Sequence, residues 1–147
     1  MSNRSNNQGR AFEYICLITL EREISKYRKA EIVSNSSFDA ALTAWNSIDK
    51  SVQTSLMISA ESVIKTIFDL EQMIIEKDED KIDLLIQPDT KGEIGDVRDI
   101  VAIRKSKKWE IGFSVKHNHF AVKHSRLAKT LDFGEKWYDK KCSKQYW

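Results

Sequence analysis

The residues of this chain with the clearest chemical potential lie in one stretch, GDVRDIVAIRKSKKWEIGFSVK. Asp99 opens an apolar run, Lys116 ends the next one, and Glu110 and Ser114 share the lysine's strand face if side chains alternate. Phosphodiester hydrolysis needs groups of this kind. Carboxylates hold Mg²⁺, which neutralises phosphate charge and lowers the pKa of a bound water, while a nearby ammonium orients that water or stabilises the transition state. Magnesium keeps several of its own waters, so two or three protein oxygens suffice. Asp96 competes with Asp99 for this role. Asp99 is preferred because the uninterrupted apolar run starts directly after it, whereas Asp96 sits in the loop-like GEIGD segment.

These residues need strands to hold them, and from residue 82 the apolar period is two. Residues 82–87 read as a strand closed by the turn Pro88-Asp89-Thr90-Lys91-Gly92. Residues 97–104 read as a second, apolar on both faces at Ile100, Val101, Ala102 and Ile103, as a central strand should be. After a polar turn at 105–108, residues 109–116 alternate without exception: Trp109, Ile111, Phe113 and Val115 on one face, Glu110, Gly112, Ser114 and Lys116 on the other.

Upstream, the period is helical. Residues 9–29 carry Phe12, Cys16, Leu20, Ile24 and Tyr27 at spacings of three and four. On a helical wheel Glu13 falls inside that apolar arc, in line with Leu17, Leu20 and Ile24, and a carboxylate there needs a reason. Glu23 also lies within the arc, so the wheel does not single out Glu13, and either can be an edge residue reaching for solvent. Residues 31–34 suit a short strand. Ser36 or Ser37 then caps a helix bearing Phe38, Leu42 and Trp45, and a longer helix covers 49–75. The acidic cluster at 76–80 reads as a solvated break, because adjacent like charges repel.

With 147 residues, 31% of them charged and 41% apolar, the chain is sized for one domain with one core, which excludes disorder and collagen-like repeats. Uncharged runs such as 14–20 and 51–60 fall well short of the roughly 18 apolar residues of a membrane span, and the N-terminus is polar, so the expected location is the cytoplasm. The two cysteines, Cys16 and Cys142, have no metal-ligand or redox spacing, and Cys16 reads as a small buried hydrophobe. Charge is lopsided: residues 1–103 are net −6 and residues 104–147 net +8. A basic last third suits a polyanionic partner, or else a solvated tail.

The segments SNRSNNQGRAFEYICL, KGEIGDVRDIV, WEIGFSVKHNHFAVKHSRL and LDFGEKWY together resemble the PD-(D/E)xK nuclease superfamily, and more narrowly the HaeIII-type restriction endonucleases of type II systems. They span nearly the whole chain. The resemblance implies an α/β fold, a restriction-endonuclease-like mixed central sheet flanked by helices, with strand order taken from the family. It implies a single nuclease domain over 1–147, with 8–80 mainly helical, 82–116 the catalytic hairpin region and 117–147 a basic segment. It also implies Mg²⁺-dependent cleavage of duplex DNA at 5'-GGCC-3', defence against foreign DNA and a cognate methyltransferase in the same system. In the superfamily a first-helix glutamate, a strand-opening aspartate and a hairpin lysine gather at one Mg²⁺ site, here Glu13, Asp99 and Lys116. This chain departs from the pattern twice. Arg98 stands where the motif has proline, and Ser114 replaces the acidic residue two before the lysine. Glu110 is the substitute carboxylate on the same face, although four residues is about 13 Å along a strand.

Beyond Lys116, Asn118, Lys123, His124 and Arg126 interleave with Phe120, Ala121, Val122 and Leu127, suiting them to phosphates or base edges. The string His117-Asn118-His119 invites an HNH-nuclease or a zinc reading. Both are rejected: the residues that name the HNH motif are dispersed over a ββα unit, and the remaining zinc ligands are missing. Family members are considerably longer, and Trp137, Tyr138, Tyr146 and Trp147 look made to pack against further structure or back onto the sheet. The chain therefore reads as an N-terminal portion, either an active endonuclease, with a homodimer suited to a palindromic target, or a non-catalytic DNA-binding remnant.

Overall fold

A computed structural model of the chain describes residues 2–93, 96–116 and 141. Strands Ala30–Ile32 (β1), Ile82–Ile86 (β2), Ile100–Arg104 (β3) and Trp109–Phe113 (β4) form one sheet in the order β1-β2-β3-β4. β1 runs parallel to β2, and the remaining pairs are antiparallel, so the sheet is mixed. Helices Ser2–Ile24 (α1), Ser36–Ser47 (α2) and Lys50–Leu70 (α3) flank it, and a short helix, Asp89–Glu93 (α4), follows β2. The fold is α/β, as the sequence leads one to expect. No helix among the described residues is long and apolar enough to cross a membrane.

The core forms where the two periodicities meet. Leu17, Leu20 and Ile24 on α1 are buried against the sheet residues Ile82, Leu84 and Ile100. Tyr14 joins α1 to α2 through tilted ring contacts with Phe38 and Trp45, with centroids 5.7 and 5.9 Å apart. Burying a large apolar side chain contributes roughly 1.5–3 kcal/mol, so this face of α1 is what holds it to the sheet. On β4, Trp109, Ile111 and Phe113 pack against the same core, and Val115, just past the strand, joins them. β3, apolar on both faces, is central, with Ile100, Val101 and Ala102 all buried.

Three local expectations are corrected. The cap of α2 is Asn35, whose side chain accepts from the Phe38 amide at 2.9 Å and donates to the Ile86 carbonyl at 2.8 Å, so it caps the helix and ties it to β2 at once. Ser37, one of the two expected caps, is buried inside the helix instead. The long helix stops at Leu70, and a 3₁₀ turn, Gln72–Ile74, replaces its expected last turn, with Glu71 accepting from the Met73 amide and Ile74 fully buried.

The largest correction concerns the acidic run at 76–80, which is not a solvated break. Arg104, at the end of β3, is completely buried and donates to Asp80, Glu76 and Asp78 and to the Met73 carbonyl, at 2.6–3.2 Å. Arg28 is buried beside it and bonds the Glu76 and Asp80 carbonyls and the Asp80 carboxylate. The mutual repulsion expected of adjacent carboxylates is offset by two guanidinium groups that bring five donors each. This ionic cluster closes the end of the sheet where β3 finishes, whereas Asp99 lies at the opposite end, where Ile86 pairs with Ile100.

Candidate active site

The Asp99 backbone is held from both sides. Its amide donates to the Phe113 carbonyl at 2.8 Å and its carbonyl accepts from the Gln87 amide at 2.8 Å, extending both ladders of the central strand by one step. With its main chain fixed, the side chain reaches the segment just past β4. Its Oδ2 accepts from the Val115 amide at 2.7 Å, the Ser114 hydroxyl at 3.1 Å and the Lys116 Nζ at 2.7 Å. All three bonds fall on one oxygen, and Oδ1 has no hydrogen bond among the described residues.

Glu13 enters this group from α1. Its carboxyl is pushed up to about 7, mainly because burial withdraws it from water and next because the Asp99 charge lies close; Arg10 and Lys116 pull it down and Asp89 adds to the rise. Glu23, the other glutamate within the apolar arc, points elsewhere and pairs with Arg22 and Lys26 at the surface. The structure thus brings Glu13, Asp99 and Lys116, from three separate stretches, to one end of the sheet.

The other two acidic candidates are engaged differently. Glu110 accepts from Arg98 Nη1 at 2.7 Å and is not among the leading causes of the Glu13 shift. Its register partner is Ile103, three rungs along the ladder from the Ile100–Phe113 pair that adjoins Asp99. Asp96 accepts from Arg98 Nε at 2.9 Å and Nη2 at 2.7 Å and from Gln87 Nε2 at 2.5 Å, and the Arg98 guanidinium holds its carboxyl down at about 2. Asn118, Lys123, His124 and Arg126 lie outside the described residues, as do Cys142 and the four C-terminal aromatics.

Sequence reasoning passed over Arg10, Asp89 and Arg98. Arg10 Nη2 pairs with Asp89 at 2.6 Å and stands one helical turn before Glu13, a spacing of three that a wheel does contain. Arg98 was visible only as a departure from a motif. Cys16 is buried nearby, its thiol pushed up to about 12 by burial and then by Glu13, which makes it an inert core residue.

Among the described residues no three His, Cys, Asp or Glu side chains are gathered as a metal cage. The two carboxylates present nonetheless suit Mg²⁺, a hard ion that bonds oxygen and retains most of its water. Two acidic groups whose charges act on each other, one of them with its pKa raised mainly by burial and then by its neighbour, are a donor set that a divalent cation relieves.

A pH prediction follows from the raised Glu13. Folded, it keeps a proton up to about 7; unfolded, it releases it near 4.5. The folded state binds more protons between those values, so its stability is full below 4.5 and falls as pH rises through 7. Glu13→Gln is expected to leave stability at pH 4 nearly unchanged and to raise it at pH 8 by on the order of 3 kcal/mol. Urea titrations at the two pH values check this, and an equal difference at both counts against the buried charge.

An acidic pair and an ammonium lie at one end of a mixed sheet with helices on its flanks, in an α/β protein. The chain belongs to the HaeIII restriction endonuclease family, whose model matches residues 9–147. It is 43% identical over 147 residues to the type II restriction enzyme HaeIII of Haemophilus aegyptius, an alignment covering 100% of this chain and 46% of that protein. The chain therefore spans less than half the length of this relative. No solved structure matches it.

Proposed function

We propose that the chain carries the hydrolytic centre of a type II site-specific deoxyribonuclease that cuts duplex DNA with Mg²⁺, in the cytoplasm, beside a cognate methyltransferase. The observation that carries this reading is the 2.7 Å contact of Lys116 Nζ with an Asp99 carboxylate whose charge also acts on Glu13. Glu13 and Asp99 would hold the ion, and when bound it supplies charge neutralisation at the phosphate and a more acidic water. Asp99 orients Lys116 and is itself oriented by the Val115 amide and the Ser114 hydroxyl. Lys116, 39% exposed at its side chain, keeps its ammonium at the solvent side, where it can donate to a phosphate oxygen or an attacking water. Glu13 holds or yields a proton near neutrality, so cation binding releases one and weakens as pH falls below 7.

The target 5'-GGCC-3' is the one implied by the resemblance of the motifs, and the grip on DNA is assigned to Asn118, Lys123, His124 and Arg126. A homodimer suits a palindromic target. The test is incubation of the purified chain with GGCC-containing duplex, with and without Mg²⁺, beside Lys116→Ala. Cutting that needs Mg²⁺ and drops roughly 10²-fold in the variant is expected. Equal cutting by the variant removes Lys116 from the mechanism, and DNA binding without any cutting leaves the alternative, a non-catalytic DNA-binding chain.

A further inference from the structure

Arg98 takes an unusual path. A Cβ built on Gly112 would meet its side chain at 1.8 Å from Cδ, 2.4 Å from Cγ and 2.8 Å from Cβ, so the arginine stem lies directly across β4 where any other residue would place a side chain. Past that crossing, its guanidinium holds Glu110 on one side and Asp96 on the other, while its own amide donates to Asp96 Oδ1 at 3.2 Å. Asp96 in turn is tied to Gln87, just beyond β2. The segment 96–98 has no strand pairing of its own, so the Arg98 side chain is its link to β4.

We propose that Arg98 is a positioning residue for the Asp99 carboxylate. It acts in two ways. It anchors the peptide immediately before Asp99 to β4 and, through Asp96, to the end of β2, so that the side chain leaves the strand toward Ser114, Val115 and Lys116. It also occupies Asp96, three residues before Asp99, and Glu110 on β4, which would otherwise compete for Lys116 or for a cation. Arg10 does the same for Asp89. Among the described residues, neither Glu13 nor Asp99 is in an ion pair with an arginine, although the Arg10 charge acts on Glu13. Gly112 belongs to the device, because only a residue without a side chain lets the stem pass.

The cation arm of this inference rests on the function proposed above; the carboxylate arm does not. The experiment follows the ¹⁵N–¹H resonance of the Val115 amide, which reports its bond to Asp99, in the full chain without metal, for wild type, Arg98→Ala and Arg98→Met. Arg98→Met keeps the apolar stem and serves if the alanine variant does not fold. The amide proton is expected to move upfield in both variants, and Mg²⁺ titrations read at the same resonance are expected to give affinities about tenfold or more weaker. Arg28→Met, at the other end of the sheet, is the control that lowers Tm while leaving the Val115 resonance in place. If the Arg98 variants lower Tm but the Val115 resonance stays where it is, Arg98 is a structural staple only and the proposal is overturned. A wild-type chain whose Val115 resonance ignores Mg²⁺ removes the metal-dependent function, yet the metal-free comparison still decides the role of Arg98.

Discussion

Asp99→Asn is expected to abolish Mg²⁺-dependent cleavage, a loss of about 10³-fold, because a metal-directed carboxylate contributes several kcal/mol to charge stabilisation in the transition state. The substitution keeps the shape of the side chain and removes its charge. Lys116 Nζ loses an anionic partner at 2.7 Å, and the proposed Mg²⁺ site would lose one of its two carboxylates. The same change has a second readout that needs no activity. Asp99 is the second-largest cause of the raised Glu13 pKa, so Glu13 is expected to titrate below its present value of about 7 in the variant, while burial still keeps it above 4.5. Carboxyl-carbon NMR of Glu13 in both proteins measures that shift. An unmoved Glu13 would mean the two carboxylates do not share a field, and cleavage kept within tenfold would take Asp99 out of the site.

Arg104→Met is expected to destabilise the chain by about 3–5 kcal/mol, the usual consequence of removing one partner from a buried ion pair and leaving the other charge uncompensated. Domains of this kind have only about 5–15 kcal/mol in total, so the variant stands near the edge of folding. Three carboxylates, Glu76, Asp78 and Asp80, would lose the cation they converge on, leaving Asp80 with Arg28 and Ser106 and Asp78 with Lys107. The Arg104 guanidinium, with smaller help from Ser106 and Arg28, holds the Asp80 carboxyl far below the ordinary carboxylate range. A depressed folded-state pKa contributes stability that is present above the unfolded value of 3.8 and is lost as pH falls through the folded one. Arg104→Met is therefore expected to shrink the acid-dependent part of the stability as well as the total. Urea unfolding at pH 7 and pH 3 measures both, and a change under 0.5 kcal/mol at pH 7 would show that the cluster is replaceable.

The two predictions concern opposite ends of one sheet, and that separation says what holds the candidate site in place. Arg104 and Arg28 lock the far end of the central strand onto the loop before β2. The ladder then carries that order along β3 to Asp99, whose amide and carbonyl are bonded on either side. A site at a strand's end needs such an anchor, because terminal rungs open first.

Much of this was legible in the sequence for a definite reason. Burial against a single core imposes a period of 3.6 on helices and of two on strands, and both are local patterns. The unbroken apolar run at Ile100–Ile103 therefore announced a central strand, and the strict alternation from Trp109 a strand covered on one face. The wheel also exposed Glu13 as a carboxylate on an apolar face. It could not choose between Glu13 and Glu23, because the choice depends on what lies across from each in space. Helix boundaries were read less well. Residues 2–8 extend α1 with polar residues only, and periodicity is silent about turns without apolar residues.

Pattern determined the elements, the central position of β3 and the residue types available for chemistry, since each of these follows from neighbours a few positions apart. Only the tertiary structure decided which charges meet. It turned an acidic run at 76–80 into the partner of two buried arginines, gave Glu110 and Asp96 to Arg98, and left Asp99 facing Lys116 with Glu13 in its field. Electrostatic partners separated by dozens of residues leave no periodic trace, because the energy of a charge is set by distance and burial in the folded chain and not by its place along it.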